Sequence, residues 1–272
     1  MNTEKIFDEL SKEKIVESII DNFEQFQNEN KSHHEQTYVT ELKVFDKIII
    51  QYLCLHLSID HTNQSDSFQN RAFYTKHYLS TITNNFYVLR QLFLSGYHIQ
   101  FQILLRSQFE FINTLICFVG DDDFFRCYVM AKKNGDIPIT PKHSNTEKCL
   151  KRLLKEYDQK AFDDIWDIYS QLLKTMHSAL SEIVHGNVAR IMIQGFQKND
   201  EENLYHSGIG GTTKPLGVTQ NILIQIINYF QITFSLIDFQ LQKRQLININ
   251  TSFIKFLRKN YDYVELLSVE SR

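Results

Sequence analysis

Prolines and glycines are scarce in this chain, which has three prolines and nine glycines in 272 residues. These residues end helices and allow tight turns, so a protein built from many short strands needs more of them. Hydrophobic residues make up 43% of the sequence, and 21 phenylalanines and 13 tyrosines supply bulky anchors for a core. The composition therefore predicts an all-α protein made of long helices.

The chain also lacks a large net charge, a Cys-x-x-Cys pair and an apolar signal segment. Its formal net charge of −3 excludes a broad attraction to nucleic acid through overall charge, although it allows a local basic patch. The N-terminal MNTEKIFDELSKEKIVE is charged throughout. Each cysteine falls in an apolar or helical stretch, which is typical of reduced core thiols in a cytoplasmic protein. The four are Cys54, Cys117, Cys127 and Cys149.

One uncharged stretch, from Pro215 to Ile237, is long enough to cross a bilayer. Polar side chains nevertheless fall close to one helical stripe within it. They are Asn221, Gln225, Asn228 and Ser235. This pattern is typical of an amphipathic helix in a soluble protein, so we expect no membrane contact.

The most apolar stretch covers residues 86–120, and its pattern predicts one long helix or two helices meeting at Ser95-Gly96. Apolar residues occur on every side, which is typical of a helix in the centre of a core. Between Arg90 and Asp121 the only formally charged residues are Arg106 and Glu110. We therefore expect this charged pair to lie where water is scarce.

The pattern along the chain predicts a single domain of about eight helices over residues 1–272, with an N-terminal helical hairpin (1–68) and a core bundle (69–272). The polar run NENKSHHEQ predicts the first break between helices. Gly120, followed by three aspartates, predicts a helix C-cap and the acidic start of the next helix. A short β-hairpin is predicted near 188–212. The predicted helices cover about 4–28, 37–58, 69–95, 97–119, 124–133, 146–158, 161–186, 217–245 and 251–266.

Arg106 and Glu110 are four residues apart, so their side chains share one helix face and a guanidinium can bind the carboxylate. One interpretation is a salt bridge that fixes how helices pack. The other is a functional site, because the desolvation of a buried ion pair can exceed its attraction and makes such a pair a poor source of stability.

A second candidate element is HSALSEIVHGN, residues 177–187, in which Ser181 and His185 are also four apart. A histidine at the end of a helix interacts favourably with the helix dipole, and this structural role is one interpretation. The other is a histidine that transfers protons or contacts phosphate near neutral pH.

These elements occur in an order that resembles a known arrangement: SGYHIQFQILLRSQFEFINTLICF, then an acidic segment with Arg126 and Tyr128, then YSQLLKTMHSALSEIVHGN. The set is similar to a family of bacterial all-helical proteins with an Arg-x-x-x-Glu helix and a Leu-Ser-x-x-Val-His element. That family is distantly similar to the HEPN helical bundles of toxins, abortive-infection proteins and antiviral ribonucleases. The resemblance covers residues 78–190 and implies Arg106, Glu110, Ser181 and His185 as site residues, with Gly96 at the helix break.

The chain departs from active HEPN ribonucleases, whose motif is an arginine followed after four to six residues by a histidine, supplied by both protomers of a dimer. Neither Arg106 nor His185 belongs to such a motif. The one match is Arg71-Ala-Phe-Tyr-Thr-Lys-His77, at the start of a helix instead of late in the chain. Arg71 and His77 are therefore an alternative catalytic pair.

The leading hypothesis is a cytoplasmic, homodimeric, HEPN-like effector of bacterial antiviral defence or of a toxin-type system, acting as a metal-independent ribonuclease. It needs no cofactor or metal, and its partners are RNA or a protein from the same operon. The alternative hypothesis is a non-catalytic module that binds a protein or a small molecule around Arg106, Glu110 and His185.

Overall fold

The computed structural model describes residues 13–59, 71–133, 143–160, 162–184, 196–199, 204–207 and 220–247. Those residues form eight α-helices and one two-stranded antiparallel hairpin, which confirms the all-α prediction. The helices are α1 (Glu13–Thr37), α2 (Val39–Ser58), α3 (Arg71–Leu94), α4 (His98–Gly120), α5 (Asp122–Lys133), α6 (His143–Tyr157), α7 (Phe162–Val184) and α8 (Gln220–Lys243).

The hairpin pairs β1 (Phe196–Asn199) with β2 (Leu204–Ser207), so that Phe196 lies opposite Ser207. It falls within the predicted 188–212 range. Several predicted features lie outside the described residues: His185, the segment 188–195 and the terminal helix near 251–266.

The 86–120 segment is the centre of the bundle, as the sequence predicts. It consists of two helices, and α4 packs against α3, α5, α6, α7 and α8. The turn between α3 and α4 is at Gly96, whose φ of 77° favours glycine. The Tyr97 N–H donates to Leu92 O and the Gly96 N–H donates to Phe93 O, which is the Schellman pattern that ends a helix.

The first break predicted from NENKSHHEQ is wrong, because α1 continues through that run to Thr37. Three of its polar side chains lie on one face and bind the α3–α4 turn. Gln27 Nε2 donates to the Tyr97 hydroxyl (2.8 Å), Asn30 Nδ2 donates to Ser95 O (3.4 Å) and His34 Nδ1 donates to Leu94 O (3.1 Å). Within the run, Asn30 and His34 are therefore buried against that turn while the other seven residues are exposed, and α1 covers the turn at the centre of the bundle.

Gly120 does not act as a left-handed cap, which corrects the predicted C-cap. It is the last residue of α4, and Asp121 follows in extended conformation. A Cβ on Gly120 would lie 2.5 Å from Leu153 Cδ1, so the glycine allows α4 and α6 to pack closely. The acidic start of α5 is confirmed, since Asp121 Oδ1 accepts the Phe124 N–H at 2.8 Å.

The expectation of four buried thiols is wrong for one of them. Cys54, Cys117 and Cys149 are buried, whereas Cys127 is exposed on α5. The first turns of α5 pack Phe124 and Phe125 against the core. Cys127 points away from that face, and no disulfide joins the four cysteines.

Two helices among the described residues are long and apolar enough to cross a membrane, namely α4 and the 222–243 part of α8. Over half of each span is buried inside the protein, 56% for α4 and 61% for α8. The core helices of soluble proteins have the same character, so the absence of a membrane role stays a prediction.

Candidate functional site

The Arg106–Glu110 pair forms on α4 as its spacing predicts, with Nη2 of Arg106 2.7 Å from Oε1 of Glu110. The expected burial is wrong for the carboxylate: the Arg106 side chain is 18% exposed, but that of Glu110 is 57% exposed. The reason is that α4 is fully buried only from Leu115 to Gly120, whereas its first turns keep an exposed strip. The pair therefore joins a mostly buried guanidinium to a carboxylate in water.

The exposed strip on α4 also carries apolar side chains. Ile103 is 42% exposed and Phe111 is 36% exposed, and they flank Glu110 along the same part of the helix. The Phe111 ring contacts Tyr78 of α3 with a centroid distance of 6.3 Å. Arg106 and Glu110 thus lie at a surface with a mixed apolar and charged character.

The second candidate element begins in α7, so the direction of α7 decides whether that element approaches the Arg106–Glu110 pair. Trp166, near the start of α7, lies against Lys151 of α6, whose neighbour Arg152 binds Asp121 at the end of α4. Tyr169, one turn later, binds Asn113 in the middle of α4. α7 therefore runs antiparallel to α4 and continues towards the level of Arg106.

Ser181 lies in the last turn of α7. It is twelve residues beyond Tyr169, or about 18 Å of helix, whereas Arg106 is seven residues, or about 10 Å, before Asn113. The Ser181 side chain and His185 lie outside what the structure describes, so the predicted convergence of His185 on Arg106 stays a prediction.

The alternative pair, Arg71 and His77, does not form a common site within this chain. Six residues on a helix turn the side chains about 120° apart. His77 is exposed and packs its ring edge on Phe73, with 4.4 Å between centroids. The Arg71 side chain is 13% exposed, donates to Asp122 Oδ1 at 2.7 Å and lies 4.4 Å from the centroid of the Phe125 ring.

Asp122 binds a second arginine at the same oxygen. Arg244, just after α8, donates from Nη1 to Asp122 Oδ1 at 2.6 Å and from Nη2 to Gly120 O at 2.8 Å. The hydrogen bond from Arg71, together with that from Arg244, holds the pKa of Asp122 below its ordinary value. Burial lowers the pKa of Arg71, and the carboxylate opposes that effect. The cluster joins the ends of α4 and α8 to the starts of α3 and α5, which is a structural role.

A buried polar centre lies deeper in the bundle, at Asn113. Its Oδ1 accepts hydrogen bonds from the hydroxyls of Tyr169 (2.8 Å) and Tyr229 (2.6 Å). Burial raises the pKa of both tyrosines, so both hydroxyls stay protonated and donate. Since the rings are buried, the centre fixes the relative positions of α4, α7 and α8. Sequence reasoning missed it, because the three residues are far apart in the chain and no local pattern links them.

No group of three or more His, Cys, Asp or Glu side chains in the described part of the chain is placed to hold a metal ion. Comparisons of the chain with protein-family models, curated proteins and solved structures find no match. The HEPN-like resemblance therefore stays a prediction, and the geometry of α4 is the basis for a functional proposal.

Proposed function

We propose that the protein is a HEPN-like effector of bacterial antiviral defence or of a toxin-type system, and that it acts on RNA through Arg106. The observation that carries the proposal is a guanidinium anchored on the core helix and bound to an exposed carboxylate. The Glu110 side chain is 57% exposed, so water can replace part of what its carboxylate supplies, and a phosphate can displace it from Arg106. Arginine suits that exchange, because its planar fork binds phosphate oxygens in pairs.

In the proposed reaction the ribose 2′-oxygen attacks the adjacent phosphorus without a metal ion, the bond from phosphorus to the 5′-oxygen breaks, and the products are a 2′,3′-cyclic phosphate and a 5′-hydroxyl. His185 would move the protons, and Arg106 would stabilise the charge that develops on the phosphate. Glu110 and Ser181 would orient these two side chains. We further propose that the protein works in the cytoplasm as a homodimer, with RNA or a protein from the same operon as its partner.

A second candidate function rests on the exposed strip of α4. Ile103 and Phe111 present apolar surface beside the Arg106–Glu110 pair. A non-catalytic binding module would use such a surface for a partner protein, with the ion pair supplying specificity. This candidate predicts partner binding without RNA cleavage.

A ribonuclease assay in metal-free buffer separates the two functions. The assay compares wild type with Arg106→Ala, Arg106→Lys, His185→Ala and His77→Ala, and uses Lys43→Ala as a control that removes an exposed cation on α2. The proposal expects cleavage by the wild type and by Lys43→Ala. It expects a loss of about 100-fold or more in Arg106→Ala, which is typical of removing a charge-stabilising donor, and little recovery in Arg106→Lys.

Two results would contradict the catalytic proposal. If the wild-type protein cleaves no RNA in a varied panel, the non-catalytic binding module is the better explanation. Cleavage that survives in Arg106→Ala and disappears in His77→Ala would assign the chemistry to the other arginine–histidine pair.

A further inference from the structure

Two thiols meet between α4 and α6, in a place that the proposed function does not use. Cys117 lies in the last turns of α4, and Cys149 lies in α6, which packs against α4. Cys117 Sγ is 3.8 Å from Thr146 O, and Cys149 Sγ is 3.9 Å from Asp121 Oδ2. The Cys117 sulfur therefore contacts α6, and the Cys149 sulfur contacts the residue that follows α4.

The backbones of the two helices approach closely at this point. Gly120, three residues after Cys117, lies so near Leu153 that a Cβ would be 2.5 Å from a Leu153 methyl group. Leu153 is four residues after Cys149, on the same face of α6. A disulfide needs sulfurs about 2.05 Å apart on closely placed backbones, and this contact between helices supplies the placement.

The two thiols differ in reactivity. Cys149 retains 8% exposure, whereas Cys117 has none. The neighbouring Cys117 lowers the pKa of Cys149, and so does the Arg152 guanidinium, whereas burial and the Asp121 carboxylate oppose the lowering. Arg152 is held beside Cys149 by Asp121, with 2.7 Å between Nη2 and Oδ2. The neighbouring Cys149 and burial raise the pKa of Cys117. Cys149 therefore has the character of the attacking thiolate, and Cys117 that of the resolving thiol.

We propose that Cys117 and Cys149 form a reversible disulfide when a hydroperoxide oxidises Cys149. The Cys149 thiolate attacks the peroxide, its O–O bond breaks, and the products are a Cys149 sulfenic acid and hydroxide. Cys117 then attacks the Cys149 sulfur, the S–O bond breaks, and water leaves with the proton of the Cys117 thiol. Overall, two thiols and one hydrogen peroxide give one disulfide and two waters. A thiol reductant reverses the change, as is usual for the transient disulfides of reducing compartments.

Mass spectrometry of the folded wild-type protein tests the proposal. The protein is treated with hydrogen peroxide, its remaining thiols are alkylated after unfolding, and peptides are mapped. The expected result is a 117–149 disulfide that forms before Cys54 is modified and disappears on reduction. If Cys117 and Cys149 can still be alkylated at peroxide concentrations that already oxidise the exposed Cys127, the proposal is overturned.

Variants identify the roles of the two thiols. In Cys117→Ser, the Cys149 sulfenic acid should persist and be trapped by a cyclic 1,3-dione, whereas the wild type should show little trapping. Arg152→Gln should slow disulfide formation several-fold, and Cys127→Ser, which removes the exposed thiol, should form it at the wild-type rate. Equal trapping at Cys149 in wild type and Cys117→Ser, or an unchanged rate in Arg152→Gln, would contradict the assigned roles.

Discussion

Replacing Asp122 with alanine tests whether one carboxylate holds the ends of four helices together. Its Oδ1 accepts hydrogen bonds from Arg71 (2.7 Å) and Arg244 (2.6 Å). The side chains of these arginines are 13% and 25% exposed, and in the described part of the structure the Nε atom of each is buried without a hydrogen-bond partner. Removal of Asp122 would therefore leave two neighbouring guanidiniums with fewer acceptors and no charge between them.

The expected cost lies between two limits. Breaking a buried ion pair costs about 3–5 kcal/mol, whereas an exposed pair contributes about 0.2–1 kcal/mol. The arginines are mostly buried, but the Asp122 side chain is 56% exposed, so water can replace part of what the carboxylate supplies. We expect a loss of about 2 kcal/mol in the free energy of unfolding, or roughly 5 °C in Tm for a chain of this size.

Urea and thermal unfolding followed by circular dichroism measure this loss. Asp123→Ala is the matched control, because Asp123 is the next residue, 92% exposed, and 3.8 Å from its partner Arg126. It should cost less than about 0.5 kcal/mol. The arginines lower the pKa of Asp122 in the folded protein. The stability that this carboxylate supplies is therefore complete above its pKa in the unfolded chain, about 3.9, and is lost as the pH falls through its pKa in the folded protein. Equal losses in Asp122→Ala and Asp123→Ala would refute the reasoning.

Three further predictions concern other parts of the bundle. Burial lowers the pKa of His34 below its ordinary 6.5, so stability from its neutral form is complete above that pH and falls as pH drops towards the folded value. The protection factors of the α1 amides, which correct for the slower intrinsic exchange at lower pH, should fall from pH 7 to 5.5, and unchanged protection factors would count against this prediction. Gly120→Ala should destabilise by about 1–3 kcal/mol, because the added methyl overlaps buried Leu153, and a stability within experimental error of wild type would contradict that contact. Gln245→Gly should stabilise by about 0.5–1 kcal/mol, since Gln245 has a φ of 54°, and a loss of stability on urea unfolding would disprove the strain.

The helices with an apolar stripe could be predicted from the sequence, because periodic burial is a local property. The two helices of 86–120 and their junction at Gly96 follow from the apolar run and the glycine within it. The path of α1 could not be predicted in the same way. The run that contains Asn30 and His34 is predicted as a break between helices, but these two residues pack inward because carbonyl groups of the α3–α4 turn, sixty or more residues later, accept their hydrogen bonds.

The candidate site also has one feature that the sequence predicts and others that depend on how the helices pack. The Arg106–Glu110 salt bridge follows from i, i+4 spacing, whereas the exposure of Glu110 depends on which side of α4 its neighbours leave uncovered. The thiol pair was missed because Cys117 and Cys149 are 32 residues apart and no short motif links them. Contacts of this kind arise from the packing of α4 against α6, which sequence periodicity does not specify.

The central claim is that Arg106 acts on RNA together with the Ser181–His185 element. A double-mutant cycle of RNA cleavage in metal-free buffer tests it most directly, with Arg106→Ala, His185→Ala and the double variant. If the two residues act as one unit, the double variant should lose no more activity than the worse single variant. Losses that multiply would show that the two act independently, and an inactive wild type would contradict the catalytic account.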